Sequence, residues 1–144
     1  ITKLEEHTGV KLQKKEVFEF RHTILWNNGK GVFESSFLPV ECQSHTIQDI
    51  RVDDFNADGL LDLLYVGNDH SFHNAFGKMD GCPGTILINS ANGDWSVAQN
   101  EVMMELMDKD CRSIIRVANV FSGAMDYFIG VNDGPVKGYR FMSE

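Results

Sequence analysis

No apolar run in this sequence approaches the ~18 residues that a membrane-spanning helix needs. Basic residues are also scarce, with 13 Lys and Arg against 21 Asp and Glu and a formal net charge of −8. That deficit argues against a nucleic-acid partner, because phosphate binding needs a basic face. Cysteines number three, and Cys42, Cys82 and Cys111 lie too far apart for a CxxC metal site. One disulfide with a thiol left over and three structural thiols are both compatible with that count, so the cysteines do not decide the compartment. The chain also lacks a nucleophile elbow, a phosphate-binding glycine loop and a pair of catalytic carboxylates. A non-catalytic role is therefore expected. Its first residue is Ile1 rather than Met, which suggests a processed or excised segment, so the missing secretory signal says nothing of location.

What the chain does have is size enough for a core, and repetition. Its 144 residues are 42% hydrophobic and 24% charged, as in a globular domain. Residues 23–33 read TILWNNGKGVF and residues 85–95 read TILINSANGDW, 62 apart without a gap. Residues 61–69 read LDLLYVGND and residues 125–133 read MDYFIGVND, 64 apart. Two independent pairs at nearly one spacing point to a structural repeat. Within a unit, residues 47–52 (IQDIRV) alternate like a half-buried strand, and residues 60–67 form an apolar run. Residues 85–89 make a third strand, the Asn/Gly cluster at 89–93 a hairpin turn, and residues 95–98 a fourth strand.

Four short antiparallel strands per unit is the pattern of a β-propeller blade. The expected fold is all-β, with the end of one blade in residues 1–40, a complete blade in 41–100 and a partial one in 101–144. About two blades cannot close a ring of 4–8. The remaining blades must come from a longer chain or from other subunits. Near the N-terminus, Thr2 is expected to cap a short helical turn that Gly9 ends, and residues 17–20 to form an edge strand.

The most informative stretch is DFNADGLLD at residues 54–62. Asp54, Asn56, Asp58 and Asp62 fall at loop positions one, three, five and nine, and the Leu60 carbonyl falls at seven. Hard cations such as Ca2+ take six to eight oxygens, and short acidic side chains alternating on a tight loop converge on one point. Gly59 permits the sharp turn. Three carboxylates so close repel one another without a cation, which favours a metal over a solvated Asx-rich turn. Mg2+ fits less well, since it demands a stricter octahedron. An EF-hand is excluded because its position twelve, normally a bidentate Glu, is Tyr65 here. The related stretch before Asp126 reads ANVFSGAM and has lost the ligands, so one calcium per chain is expected.

The run VDDFNADGLLDLLYVGND, preceded by NNGKGVF and FLPVECQ, resembles the VCBS/FG-GAP repeats of large bacterial extracellular proteins. More narrowly it is similar to the C-terminal repeats of the ASPIC/UnbV-associated group, over residues 25–141. Residues 78–84 (KMDGCPG) resemble a degenerate form of that group's segment before the next strand. The resemblance implies a propeller, calcium in the inter-strand loop, and secretion or surface display as an adhesion or ligand-binding module with a protein or glycan ligand. It also implies that Asp54, Asn56, Asp58, Leu60 and Asp62 hold the metal.

Other candidates are weaker. Residues 68–84 form the one long loop, and His70, His73 and Asp80 are residue types for a metal or acid–base site. A solvated, flexible connection is the reading preferred for that loop. Asp53 reads as a neighbour of the metal, and His22 and His45 as surface or satisfied residues. Trp26 and Trp95 are expected to pack in the core. If they were exposed on one face, a lectin-like propeller or the propeller part of a polysaccharide-degrading enzyme would be favoured instead.

Overall fold

The computed structural model describes residues 2–11, 13–71, 77, 81–82, 84–98, 105–106 and 108–141. Among the described residues the structure is β apart from a short N-terminal helix, one 3-10 turn and a helical turn at Glu105 and Leu106, and every strand pair is antiparallel. The chain divides into two compact units, within residues 1–37 and 38–144.

The first unit holds α1 (Thr2–Thr8) and a hairpin of β1 (Thr23–Asn27) and β2 (Phe33–Phe37). Gly9 ends the helix at φ +68, its amide reaching the Glu5 carbonyl at 2.8 Å, a left-handed cap that glycine adopts without strain. The expected edge strand at residues 17–20 does not form. Val17, Phe18 and Phe20 are exposed, and no strand among the described residues pairs with them. Alternation specifies a strand only where a neighbour takes its amides and one face is covered.

In the second unit β3 (Ile47–Asp53), β4 (Asp62–Gly67), β5 (Thr85–Asn89) and β6 (Trp95–Ala98) form a four-stranded meander. A second meander follows, of β7 (Cys111–Ala118), β8 (Met125–Val131) and β9 (Lys137–Tyr139). Strand β4 is buried along almost its whole length, as its apolar run requires for a central strand covered on both faces. Strand β3 alternates half-buried and exposed residues and lies at the sheet edge.

The sequence repeat is a repeat of register. Ile47 pairs with Gly67 and, after a bulge at Gln48, Asp49 pairs with Val66. Cys111 pairs with Val131 and, after a bulge at Arg112, Ser113 pairs with Gly130. Each residue of the second set lies 64 after its counterpart, and the correspondence runs on to Asp53↔Asp62 and Val117↔Asp126. The two hairpins agree likewise, closing on Asn27↔Phe33 and Asn89↔Trp95 over five-residue loops.

The core lies where the two meanders pack. Leu64, Val66 and Ile86 meet Cys111, Ile114, Tyr127 and Ile129, with Leu106 beside them. Each large aliphatic side chain so buried contributes about 1.5–3 kcal/mol. Polar bonds tie the same faces together. The Ile114 amide donates to Asp49 Oδ2 at 2.7 Å, and Arg116 Nε lies 2.8 Å from Asp53 Oδ2. The Tyr127 hydroxyl donates to the same carboxylate, and the Phe55 ring packs tilted against Tyr127 and edge-on against Phe141, with centroids 5.3 and 5.1 Å apart.

Candidate functional site

Between β3 and β4 the chain reverses through residues 54–61, with Ala57 and Gly59 at φ +61 and +86. The acidic side chains turn inward onto the loop's own amides. Asp54 accepts from the amides of Asp58 (3.1 Å) and Gly59 (2.8 Å). Asn56 Oδ1 accepts from the Asp58 amide, while its Nδ2 donates to Asp58 Oδ2 at 2.8 Å. Asp58 Oδ1 accepts from the Leu60 amide at 2.8 Å. Short acidic side chains close such turns because they reach an amide two residues on.

Asp62 differs from the rest. It opens β4 with its side chain fully buried, taking the Phe55 amide on Oδ2 and the Asn89 amide on Oδ1, each at 2.9 Å. Asp62 thereby joins the loop to the β5–β6 hairpin. Among the described residues no Lys or Arg forms an ion pair with Asp54, Asp58 or Asp62.

Loop 54–62 therefore gathers Asp54, Asn56 and Asp58 on one turn, with Leu60 half-buried beside them and Asp62 beneath. Its donor set, three carboxylates and an amide oxygen, suits a hard cation. As described, these side chains hold amides, and no group of three or more His, Cys, Asp or Glu forms a metal-binding cluster among the described residues. Admitting a cation would require the Asn56–Asp58 side-chain bond to be released.

The corresponding loop between β7 and β8 shows the carboxylate at the same register position handled differently. Asn119 closes that turn, accepting from the amides of Phe121 and Ser122. Asp126, the counterpart of Asp62, is held by Arg140 at 2.6 and 2.9 Å and by Asn119 Nδ2 at 3.1 Å. The Arg140 guanidinium, followed by Asn119, keeps the Asp126 carboxyl below the ordinary range.

Asp53 binds Arg116 and Tyr127, so it is a strut between the sheets. Burial, then the bond to Asp53, pushes the Tyr127 phenol up to about 12. Next to this strut, Asp53, Asp54, Phe55, Met125, Tyr127 and Phe141 line a cavity of about 210 Å3.

His70 borders a polar cleft of about 280 Å3 with Asp108, Lys109, Asp110, Asn132 and Lys137. Asp110 is buried there, paired with Arg112 at 2.6 Å and accepting from Asn132 Nδ2 at 3.1 Å. Sequence reasoning missed this network. Its one visible signal was the shared ND after each apolar strand, Asn68-Asp69 and Asn132-Asp133. Asn68 also crosses between the sheets, accepting from the Cys82 amide at 2.6 Å and donating to the Lys109 carbonyl at 2.9 Å. His73, Asp80 and most of residues 78–84 lie outside the described residues.

His45 is buried, stacked on Tyr65 and bonded to its hydroxyl at 3.0 Å. Trp95 is half-buried, but the packing role expected of Trp26 does not hold. Trp26 is 43% exposed, and its indole donates across the hairpin to Ser36. A two-stranded ribbon has no second layer of its own in which to bury a ring.

No helix among the described residues is long and apolar enough to cross a membrane. No protein-family model matches the chain, and neither does any curated protein or solved structure.

Proposed function

We propose that this chain is a non-catalytic, calcium-stabilised β-repeat module, its meanders the blades of a partial propeller, serving extracellular adhesion or ligand binding. The observation that carries the calcium reading is the contrast between Asp62 and Asp126. A buried carboxylate is costly unless hydrogen-bonded and paired with opposite charge. Asp126 has the Arg140 guanidinium, and its loop has lost the acidic residues at one, three and five. Asp62 has no such cation among the described residues, and its loop keeps them. A bound Ca2+ supplies the missing positive charge, held by Asp54, Asn56, Asp58, the Leu60 carbonyl and Asp62. Its role is to rigidify the turn between two strands. The propeller and adhesion parts rest on the register repeat and the family resemblance.

Calorimetric titration of the EGTA-stripped full chain with CaCl2 tests the reading. One site per chain, lost in Asp58→Ala, is expected. Absence of binding heat together with an unchanged melting temperature at millimolar calcium overturns it.

A further inference from the structure

Asp54, the first residue of the acidic loop, lies between two residues that each hold the loop with one group and the second meander with another. Before it, Asp53 accepts the Asp54 amide on Oδ1 at 3.1 Å. The other oxygen of Asp53 takes the Tyr127 hydroxyl and lies 2.8 Å from Arg116 Nε. After it, Phe55 donates its amide to the buried Asp62 at 2.9 Å, tying the two ends of the loop together. The Phe55 ring packs on Tyr127 and Phe141, whose own rings lie 5.3 Å apart between centroids.

Around these contacts the seam between loop and second meander is loosely filled. The cavity of about 210 Å3 runs along Asp54, Ala57, Ala124 and Met125, so continuous packing does not hold the loop in place. A loop free to shift into that space would offer Asp54 and Asp62 to a cation in many arrangements, and binding would bear the cost of ordering them. The three rings and the Asp53 carboxylate remove that freedom before any cation arrives. The loop between β7 and β8 has no acidic residues at one, three and five, and it lacks both clamping residues too. Val117 and Asn119 stand 64 residues after Asp53 and Phe55.

We infer that Tyr127 and Phe141 are positioning residues for the cation site, acting through Asp53 and Phe55 to preorganise Asp54 and Asp62. The site is then shared between the meanders, although every donor oxygen comes from the first. Linkage makes the effect reciprocal: whatever the second meander adds to calcium affinity, calcium adds to the packing of the second meander. The inference rests on the calcium reading.

The test is calorimetric titration of the EGTA-stripped full chain with CaCl2, at a temperature where circular dichroism shows every variant folded. Phe141→Ala is expected to bind about tenfold more weakly than the parent, and Tyr127→Phe about threefold more weakly, as for ordering one or two side chains on binding. The stoichiometry should stay the same in both. Phe141→Tyr, which keeps the ring, should restore the parent's affinity. Ile129→Val is the control, since Ile129 lies in the same core two residues along β8 from Tyr127. It should lower the urea midpoint and leave the dissociation constant unchanged. A parent and clamp variants that share one dissociation constant overturn the inference and leave the calcium reading standing. An equal loss of affinity in Ile129→Val also overturns it, because the effect would then be one of general stability. A parent that binds no calcium removes the calcium reading and this inference with it.

Discussion

Asp62 and Asp126 stand at the same register point of successive meanders, and a guanidinium meets Asp126 while two backbone amides hold the fully buried Asp62. A carboxylate at one register position is thus held on two scaffolds by different means. Where the loop has no acidic residues at the corresponding positions, Arg140 supplies the charge within the chain. Where the loop is intact, the charge must come from outside or the carboxylate must live on amide dipoles alone. Variants at Asp58 and Asp62 separate these roles.

Asp58→Ala removes a carboxylate from the exposed rim of the loop, where it accepts the Leu60 amide and the Asn56 side chain. In EGTA the loss is expected to be small, about 0.5 kcal/mol, because the freed amide can meet water. In calcium at a hundred times the dissociation constant, the parent gains about 2.7 kcal/mol from binding. For a domain of this size that is a rise of roughly 10 °C. The variant should melt in calcium where the parent melts in EGTA. Melting curves that coincide for variant and parent in calcium would count against the site.

Asp62→Asn is expected to behave differently. An amide nitrogen would replace one oxygen and face a backbone N–H, either that of Phe55 or that of Asn89. A buried donor against a donor costs about 1–3 kcal/mol, and the cost should appear with or without calcium. Urea denaturation in EGTA measures it. If the variant matches the parent there, the bridge from the loop to the β5–β6 hairpin contributes nothing to stability.

Much of this arrangement was legible in the sequence, for local reasons. Strands β5 and β6 have the expected bounds because their ends are fixed by a hairpin with Gly93 at φ +83, a signal carried by five consecutive residues. The acidic turn follows from the spacing of Asp54, Asn56 and Asp58, since each side chain reaches an amide within the same loop. Relationships across sheets were not legible. Asp53 reads as one more loop acid until Arg116 and Tyr127, more than sixty residues on, are brought onto it. Residues 17–20 fail for the complementary reason: their alternation is sound, but no neighbouring strand among the described residues takes it up.

Arg112 sits in the bulge of β7 and reaches Asp110 with two nitrogens, at 2.6 and 2.7 Å, and Asp69 at 3.1 Å. Burial alone would push the Asp110 carboxyl up. The bonds from Arg112 and Asn132, with the His70 amide, more than offset that and hold it below its ordinary 3.8. A carboxyl whose folded pKa is depressed stabilises the fold fully above its unfolded value and loses that contribution as pH falls through the folded one. Arg112→Ala should therefore cost roughly 2 kcal/mol at pH 7 and flatten the loss of stability below about pH 4. Arg112→Lys should recover only part, lacking the fork that spans two carboxylates. Urea midpoints from pH 7 down to pH 3 check both, and an unchanged pH profile in Arg112→Ala would refute the pairing.

Gly67 closes β4 against the backbone just before β3, and a Cβ there would fall on the Thr46 carbonyl and within 3.2 Å of Cys82 Sγ. Backbone cannot rotate away as a side chain can, so Gly67→Ala must pull β3 and β4 apart at their paired ends. A loss of about 3 kcal/mol or more is expected, read from the urea midpoint or from failure to recover folded protein. Gly93→Ala is the control. No atom lies within 4 Å of its Cβ position, so only the strain of φ +83, about 1 kcal/mol, should appear.

The three cysteines give a direct check on the buried interior of the second unit, Cys111 lying in the core between the meanders. All are free thiols, and Cys42, Cys82 and Cys111 are each buried to within 2% of full cover. Burial pushes the Cys82 thiol up to about 12 and the Cys111 thiol up to about 11, the latter with the Asp110 carboxylate adding to the shift. At pH 8 both therefore stay in the unreactive thiol form, and neither is open to reagent. A disulfide-exchange reagent should therefore find no fast-reacting thiol in the folded chain and three in denaturant. The slow native rate should rise as the core is loosened, so Gly67→Ala should label faster than the parent if it folds. One thiol reacting at once in the folded parent would mean that a face assigned to the core opens to solvent.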